Sequence, residues 1–184
     1  YLDRIVWRFI TDKSAATAAL EAGQIQMSNY SALPLADMDR LKKDPRFTVS
    51  SRGNEGNAVN NTLEFNFRRK ELADLRVRRA IAHAIDVEFF CTNFLYGFGK
   101  PGTGPIPSSS PAFHPADSKP PYTFDKKKSE ALLDEAGFKR GADGTRFQLK
   151  LVPAPWGEDV GLWATFIQQS LAGVGIKVDI GRYD

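Results

Sequence analysis

The sequence contains a single cysteine, two histidines and two methionines among 184 residues, and it has no long hydrophobic run. Because Cys91 has no second cysteine to pair with, an intrachain disulfide framework and a cysteine-based zinc site are both excluded. No apolar stretch approaches the roughly 18 residues that a membrane-spanning helix needs. Residues 1–4 also lack the layout of a secretory signal, so if the parent protein is exported, we expect its signal outside this sequence.

Length and composition fit one folded domain. The 184 residues lie within the range of roughly 100–200 residues per domain. With 42% hydrophobic and 11% aromatic residues, a chain of this length can bury about 70% of the surface that it exposes when unfolded. The net charge of +3 is only a weak indication of a polyanionic partner. We therefore expect a single α/β lobe over residues 1–184.

Hydrophobic periodicity predicts several strands in the first third of the chain. In residues 4–9, Ile5, Trp7 and Phe9 alternate with the residues between them, which predicts a strand with one buried face that needs a neighbouring strand. The same period-2 criterion or a short apolar run predicts further strands at 25–27, 47–51 and 59–67.

Capping residues predict the helices more sharply. Asp12, Asp74, Asp86 and Asp125 each precede an apolar pattern of helical period, so each is expected to cap a helix. Gly137 is expected to end the helix that follows Asp125, with the next residue packing back on it.

The last third of the chain predicts a strand at 147–151, a helix from about 157 and a strand at 176–180. A strand, helix and strand with short links form a crossover unit, whose two strands should be parallel. Because strands and helices intermix along the chain, the predicted fold class is α/β (α+β), with a mixed β-sheet flanked by helices.

Few residues are candidates for catalysis. His83 lies on the arginine-bearing side of a predicted helix, where a satisfied or solvated histidine is expected, and His114 lies in a loop. Cys91 lies within an apolar helical pattern and is expected to be a small buried hydrophobe. A small hydrolase using His83 and His114 is the alternative to a non-catalytic protein. We expect no catalytic residue, no metal site and no cofactor.

The densest basic segment suggests a second alternative, a nucleic-acid-binding module. Its members are Arg68, Arg69, Lys70, Arg76, Arg78 and Arg79. Such residues can neutralise phosphates. Glu71 and Asp74 interrupt the segment, however, and no aromatic residues interleave on the same helical face for base stacking. A charged, solvated or ion-paired face is therefore the preferred interpretation, and no nucleic-acid partner is expected.

Polar residues concentrate near the ends of predicted strands. The residues that we select are Ser28, Asn29, Tyr30, Ser31, Asn57, Asn60, Asn61 and Trp156. Amide and hydroxyl groups beside an exposed aromatic ring allow a cleft to bind a polar ligand without charge. Ordinary turn chemistry accounts for the same residue types, so these residues alone leave both interpretations open.

A longer pattern connects most of the chain to a known family. Its centre is residues 66–86, with Arg76-Val77-Arg78, Ala80 and Ala84-Ile85-Asp86 as the main matches. Further matching segments follow the same order at 1–5, 19–25, 97–107, 135–138 and 171–178. Together they resemble the extracellular solute-binding proteins, family 5, which are the peptide- and nickel-type receptors of ATP-binding cassette (ABC) importers.

The resemblance implies a two-lobed, periplasmic-binding-protein-like fold around a cleft, of which this chain is similar to most of the second lobe. It implies a peptide or small-molecule ligand, the first lobe of the same parent chain and the importer's membrane subunits as partners. It also implies a periplasmic or extracellular location, with a lipid anchor as one option for the full-length protein. By similarity, the ligand-facing positions are 28–31, 57–61 and Trp156.

The sequence departs from the family pattern at two places. Gln24 and Gln26 stand where acidic residues are common, and residues 69–72 replace a stretch that usually resembles Pro-Pro-Phe. Relatives carry peptides, nickel chelates, opines or oligosaccharides, so the ligand subclass stays open.

Overall fold

The computed structural model of the protein describes residues 2–28, 32–50, 61–108, 110, 112–113, 122–155 and 158–182. Within these ranges the chain forms seven helices and two strands. In chain order they are α1 (Lys13–Glu21), α2 (Leu35–Leu41), α3 (Lys70–Ala73), α4 (Leu75–Ala84), α5 (Val87–Asn93), α6 (Lys126–Glu135), β1 (Phe147–Leu151), α7 (Glu158–Gly173) and β2 (Ile176–Ile180). None of the helices in these ranges is long and apolar enough to cross a membrane.

The four predicted N-caps are confirmed. The carboxylates of Asp12, Asp74, Asp86 and Asp125 each accept a hydrogen bond from a backbone amide in the first turn of the helix that follows, at 2.6–2.9 Å. Each bond satisfies one of the amides that the helix itself leaves without a partner. Local sequence therefore defines where α1, α4, α5 and α6 begin.

The end of α6 is also as predicted. Gly137 has a φ of +88°, in the left-handed region that glycine adopts without a steric penalty. The amide of Phe138 donates to the Leu133 carbonyl at 2.9 Å, and the amide of Gly137 donates to Asp134 at 3.0 Å. These two bonds form a Schellman motif, which turns the chain away from the helix axis.

The crossover unit is confirmed in the last third of the chain. β1 and β2 pair in parallel, in a register that runs from Phe147 opposite Ile176 to Leu151 opposite Ile180. The intervening α7 packs against β2. In the described part of the chain the sheet has only these two strands, so it is parallel rather than mixed. The α/β class is confirmed.

The larger hydrophobic core joins α4, α6, α7 and the two strands. Its buried members are Leu72, Val77, Ala80, Ile81, Ala84, Ile85, Leu133, Leu171, Val174, Ile176 and Val178. The helical period of the apolar residues in α4 places one side of that helix against α6. The buried Ser129 hydroxyl of α6 donates to the Ala80 carbonyl at 2.7 Å and ties the two helices together.

A second, smaller core lies around α1 and α2. Ala16, Leu33 and Leu41 are its buried members. The Thr17 hydroxyl of α1 donates to the Asp37 carboxylate of α2 at 2.8 Å. The two cores are separate sets of buried residues. The assignment of residues 1–184 to a single lobe stays a prediction.

The strands predicted in the first third of the chain are wrong for the residues that the structure describes there. Residues 4–9 are extended but form no strand, and Ile5, Trp7 and Phe9 are 66%, 69% and 92% exposed. No backbone group of residues 2–9 has a hydrogen bond among the described residues. An alternating pattern gives an extended segment one apolar face, but a strand also needs a neighbouring strand with which to form hydrogen bonds.

The other three predicted strands, at 25–27, 47–51 and 59–67, are likewise not strands over their described residues. Leu63 and Phe65 do pack against the larger core, and Phe47 and Val49 pack against the smaller one. Their apolar side chains therefore find cores without sheet pairing.

Candidate functional site

Two of the eight predicted ligand-facing residues lie in the described part of the chain. Ser28 is half-buried and follows the exposed Met27, and Asn61 is exposed and directly precedes the run that packs on the larger core. The remaining six, Asn29, Tyr30, Ser31, Asn57, Asn60 and Trp156, lie outside the described residues. Their assembly into one site stays a prediction.

The carboxyl edge of the parallel pair is the sheet edge at which a ligand is expected. The Gly181 amide donates to the Leu151 carbonyl at 2.8 Å, so the pairing continues one residue past β2. Val152 and Ile180 are exposed large hydrophobic residues at this edge. In open α/β sheets, ligands bind outside the carboxyl ends of the strands. Trp156 belongs, in chain order, to the connection between this end of β1 and the start of α7.

Polar side chains hold the strand pair in place. The Gln168 amide of α7 donates to the Val178 carbonyl of β2 at 2.7 Å. Gln148 and Asp179 pair through their side chains across the two strands. The Arg69 guanidinium donates to the Gln148 carbonyl at 3.1 Å. These contacts hold the two strands against each other and against α7 and Arg69.

The amino end of β1 is fixed by a buried arginine that sequence reasoning did not select. The Arg146 side chain is 3% exposed, and it donates to the Asp134 carboxylate and the Phe138 carbonyl at 2.5 Å each and to the Val174 carbonyl at 3.0 Å. The bond from Arg146 is the main cause of the lowered pKa of the Asp134 carboxyl. Arg146 thereby joins β1 to the ends of α6 and α7. No sequence signal distinguished it from the other arginines.

His83 was expected to be satisfied or solvated, and the structure shows that it is buried rather than solvated. One ring nitrogen has a partner, since Nδ1 lies 2.7 Å from the Thr123 carbonyl oxygen, and the Tyr122 ring packs on the imidazole edge to face. A general base needs a reacting group within hydrogen-bond reach, and among the described residues the polar contact of this ring is a backbone carbonyl. His114 lies outside the described residues.

Cys91 is buried, as predicted. Burial raises the pKa of its thiol, and the negative charge of Glu88 adds to the effect. A raised pKa lowers the thiolate fraction, so this thiol is a poor nucleophile. Across the described ranges, no three histidine, cysteine, aspartate or glutamate residues are arranged to hold a metal ion.

Two arginines of the basic segment, Arg76 and Arg78, have structural partners. Arg76 forms an ion pair with Asp74 at 2.6 Å, and this hydrogen-bonded pair lowers the pKa of the Asp74 carboxyl. Arg78 donates to two backbone carbonyls at the end of α3, and its guanidinium lies 4.7 Å from the centre of the Phe67 ring. These contacts agree with the predicted ion-paired face.

Comparison with solved structures places this architecture among periplasmic binding proteins. The ABC transporter-associated periplasmic binding protein DppA of Helicobacter pylori, in complex with the peptide STSA, aligns with a TM-score of 0.67 and 28% identity, over 96% of this chain and 32% of that one. NikA from Brucella suis, in complex with Fe(III)-EDTA, aligns with a TM-score of 0.74 and 24% identity, over 95% of this chain and 36% of that one. The chain therefore has the fold of one lobe of a periplasmic-binding-protein-like structure.

The family follows from the sequence comparison. The family model of the bacterial extracellular solute-binding proteins, family 5 (middle), matches residues 1–184, so the chain belongs to this family. Di/tripeptide-binding protein 1 of Pseudomonas aeruginosa is 28% identical over 185 residues. The glutathione-binding protein GsiB of Pectobacterium atrosepticum is 26% identical over 197 residues. Each match covers all of this chain and 33% of the relative. The chain thus spans about a third of the length of these curated relatives.

Proposed function

We propose that the chain is a ligand-binding lobe of the solute-binding protein of an ABC importer, and that its ligand is a peptide or a similar small polar solute. The observation that carries this proposal is the family match over residues 1–184. Relatives named for dipeptides, di- and tripeptides and glutathione support a peptide-like ligand.

The ligand occupies the cleft between this lobe and the first lobe of the same parent chain. It contacts residues 28–31, the segment 57–61 and Trp156. A ligand that touches both lobes favours the closed state of a hinge, and the importer's membrane subunits bind that state. Hydrogen bonds to peptide groups and burial of apolar side chains supply most of the affinity, with Trp156 and Tyr30 as amphipathic contact surfaces.

The protein acts in the periplasm or outside the cell, with or without a lipid anchor on the full-length chain. It binds its solute without converting it and uses no cofactor. This is favoured over the hydrolase alternative because, among the described residues, the polar contact of the His83 ring is a backbone carbonyl and not a nucleophile or a carboxylate. Arg76 is paired with a carboxylate and Arg78 donates to backbone carbonyls, so neither guanidinium is free to contact phosphates, which argues against a nucleic-acid-binding module.

Calorimetry on the full-length parent protein tests the proposal. Titration with a dipeptide, a tripeptide and glutathione is expected to give saturable binding of at least one of them. The 184-residue chain alone is expected to bind the same ligand weakly or not at all, because it supplies one side of the cleft. Tight binding by the chain alone would contradict the two-sided site.

Paired variants test the assigned positions. Asn61→Ala in the parent protein is expected to weaken binding by about fivefold to tenfold, as the loss of one hydrogen bond of about 1 kcal/mol implies. Thr62→Ala is the matched control, since Thr62 is the next residue in the chain, is also exposed and is not among the positions assigned to the ligand. If the two variants bind equally well, Asn61 does not face the ligand.

A further inference from the structure

A pocket lies where α4, α6 and Tyr122 meet. Its volume is about 350 Å³, and it is lined by Arg79, His83, Tyr122, Lys128 and Leu132. None of these residues is among the predicted ligand-facing positions. The pocket is therefore distinct from the predicted ligand-facing positions.

Two cations border this pocket without an anionic partner. Arg79 and Lys128 are exposed, and neither side chain has a hydrogen bond or ion pair among the described residues. Lys128 lies in the first turn of α6, after Lys126 and Lys127. Cations are unfavourable at a helix N-terminus because the helix dipole is positive there. An anion in the pocket would compensate for both charges.

His83 adds a hydrogen-bond acceptor to the same pocket. Its Nδ1 lies 2.7 Å from the Thr123 carbonyl, which only accepts, so Nδ1 donates, and whenever the ring is neutral Nε2 is an acceptor. Nε2 has no hydrogen-bond partner in the described part of the chain. His83 is buried, yet its side chain lines the pocket.

We propose that this pocket binds a phosphate group that retains a proton, such as inorganic phosphate. Arg79 and Lys128 neutralise its negative oxygens, and the P–OH group donates a hydrogen bond to Nε2 of His83. Tyr122 bears a further hydroxyl donor on the same pocket and holds the imidazole by its edge-to-face contact. Sulfate has the same shape and charge but no proton at neutral pH. The His83 acceptor therefore selects phosphate over sulfate.

Nuclear magnetic resonance titration of the histidine ring protons tests this assignment on the 184-residue chain. Inorganic phosphate at constant ionic strength is expected to shift the His83 signals saturably, and sulfate is expected to bind about fivefold more weakly, as the loss of one hydrogen bond implies. Arg79→Gln and Lys128→Gln are each expected to weaken phosphate binding roughly threefold to fivefold. Lys127→Gln is the matched control, since it removes the same charge from the same helical turn outside the pocket lining.

His83→Asn separates the acceptor from the cations. Asparagine keeps a side-chain N–H that can bond to Thr123 but lacks an atom in place of Nε2. This variant is expected to bind phosphate and sulfate equally, a change that calorimetry detects. If it fails to fold, the charge variants still decide the matter.

Three results would overturn the proposal: equal affinity for phosphate and sulfate in the unmodified chain, equal effects of Lys127→Gln and Lys128→Gln, or no saturable shift at millimolar phosphate. Vesicles containing phosphatidic acid, compared with vesicles of neutral lipid, distinguish a headgroup from a free ion as the source of the phosphate. Binding of the vesicles assigns a lipid headgroup, and binding of inorganic phosphate alone assigns a soluble ion.

Discussion

Replacement of the buried arginine at the start of β1 is expected to be among the most destabilising single changes in this chain. Arg146→Met keeps most of the side-chain volume but removes every donor. The Phe138 and Val174 carbonyls then lose the hydrogen bonds that the guanidinium supplies at 2.5 Å and 3.0 Å. Both bonds are partly shielded from water, so a carbonyl left there without a partner costs part of its desolvation penalty.

The expected loss of stability follows from these two carbonyls. A hydrogen bond to a charged group contributes about 1.5–3 kcal/mol, so loss of the pair lowers the free energy of unfolding by about 3 kcal/mol, taking the lower bound for each. We assign little to the Asp134 contact, because that carboxylate is 52% exposed and water screens it. For a chain of this size the midpoint of thermal unfolding then falls by roughly 6–12 °C.

Arg140 offers a matched control at the same corner of the fold. Its guanidinium also has three acceptors, namely the Glu130 carboxylate and the Gly144 and Gly173 carbonyls. Its side chain is 37% exposed, against 3% for Arg146. Arg140→Met is therefore expected to cost about 1 kcal/mol or less. Urea unfolding followed by circular dichroism measures both variants, and equal losses would refute the argument that burial decides the cost.

Three further predictions concern other parts of the chain. Gly175→Ala is expected to lower the free energy of unfolding, measured in urea, clearly more than Gly137→Ala does. Both glycines have a positive φ, so both substitutions strain the backbone. An added Cβ at Gly175 would also lie 2.9 Å from the Gly144 carbonyl oxygen, whereas at Gly137 it would meet nothing within 4 Å. The Asp134 carboxyl has a pKa below its ordinary 3.8 because it accepts from Arg146. Its contribution to stability, small because the carboxylate is half exposed, is present above that value and is lost as the pH falls through the folded-state pKa. Asp134→Asn should therefore change the acid limb only slightly in urea unfolding, and a large loss of stability at neutral pH would contradict the small weight given to this contact. Cys91 is expected to react slowly with Ellman's reagent in the folded chain and rapidly in urea, since burial raises the pKa of its thiol; fast reaction without denaturant would contradict its burial.

Features encoded by neighbouring residues could be predicted from the sequence. The caps at Asp74, Asp86 and Asp125 each depend on a side chain and an amide two or three residues away. The end of α6 at Gly137 depends on one backbone angle. The parallel pairing of β1 and β2 follows from a short connection that contains a helix. In each case the interacting groups lie close together in the chain.

The candidate site was accessible to sequence reasoning only as a set of positions. Ser28 and Asn61 were selected as polar residues near strand ends, yet the described residues of the two predicted strands beside them form no strand. Their selection therefore depends on the family resemblance more than on local structure. The pocket beside His83 had no sequence signal at all, because its residues come from α4, α6 and the segment between α5 and α6.

The sequence by itself determined the class of fold, the family and the ends of the helices in this protein, because each depends on periodicity, on a local hydrogen bond or on an ordered set of motifs. Only the tertiary structure decided which polar groups are buried. It buried Arg146 against three acceptors and His83 against a carbonyl, while Trp7 and Phe9 stayed exposed. Burial depends on what the rest of the chain brings to a residue from a distance, and no local pattern contains that information.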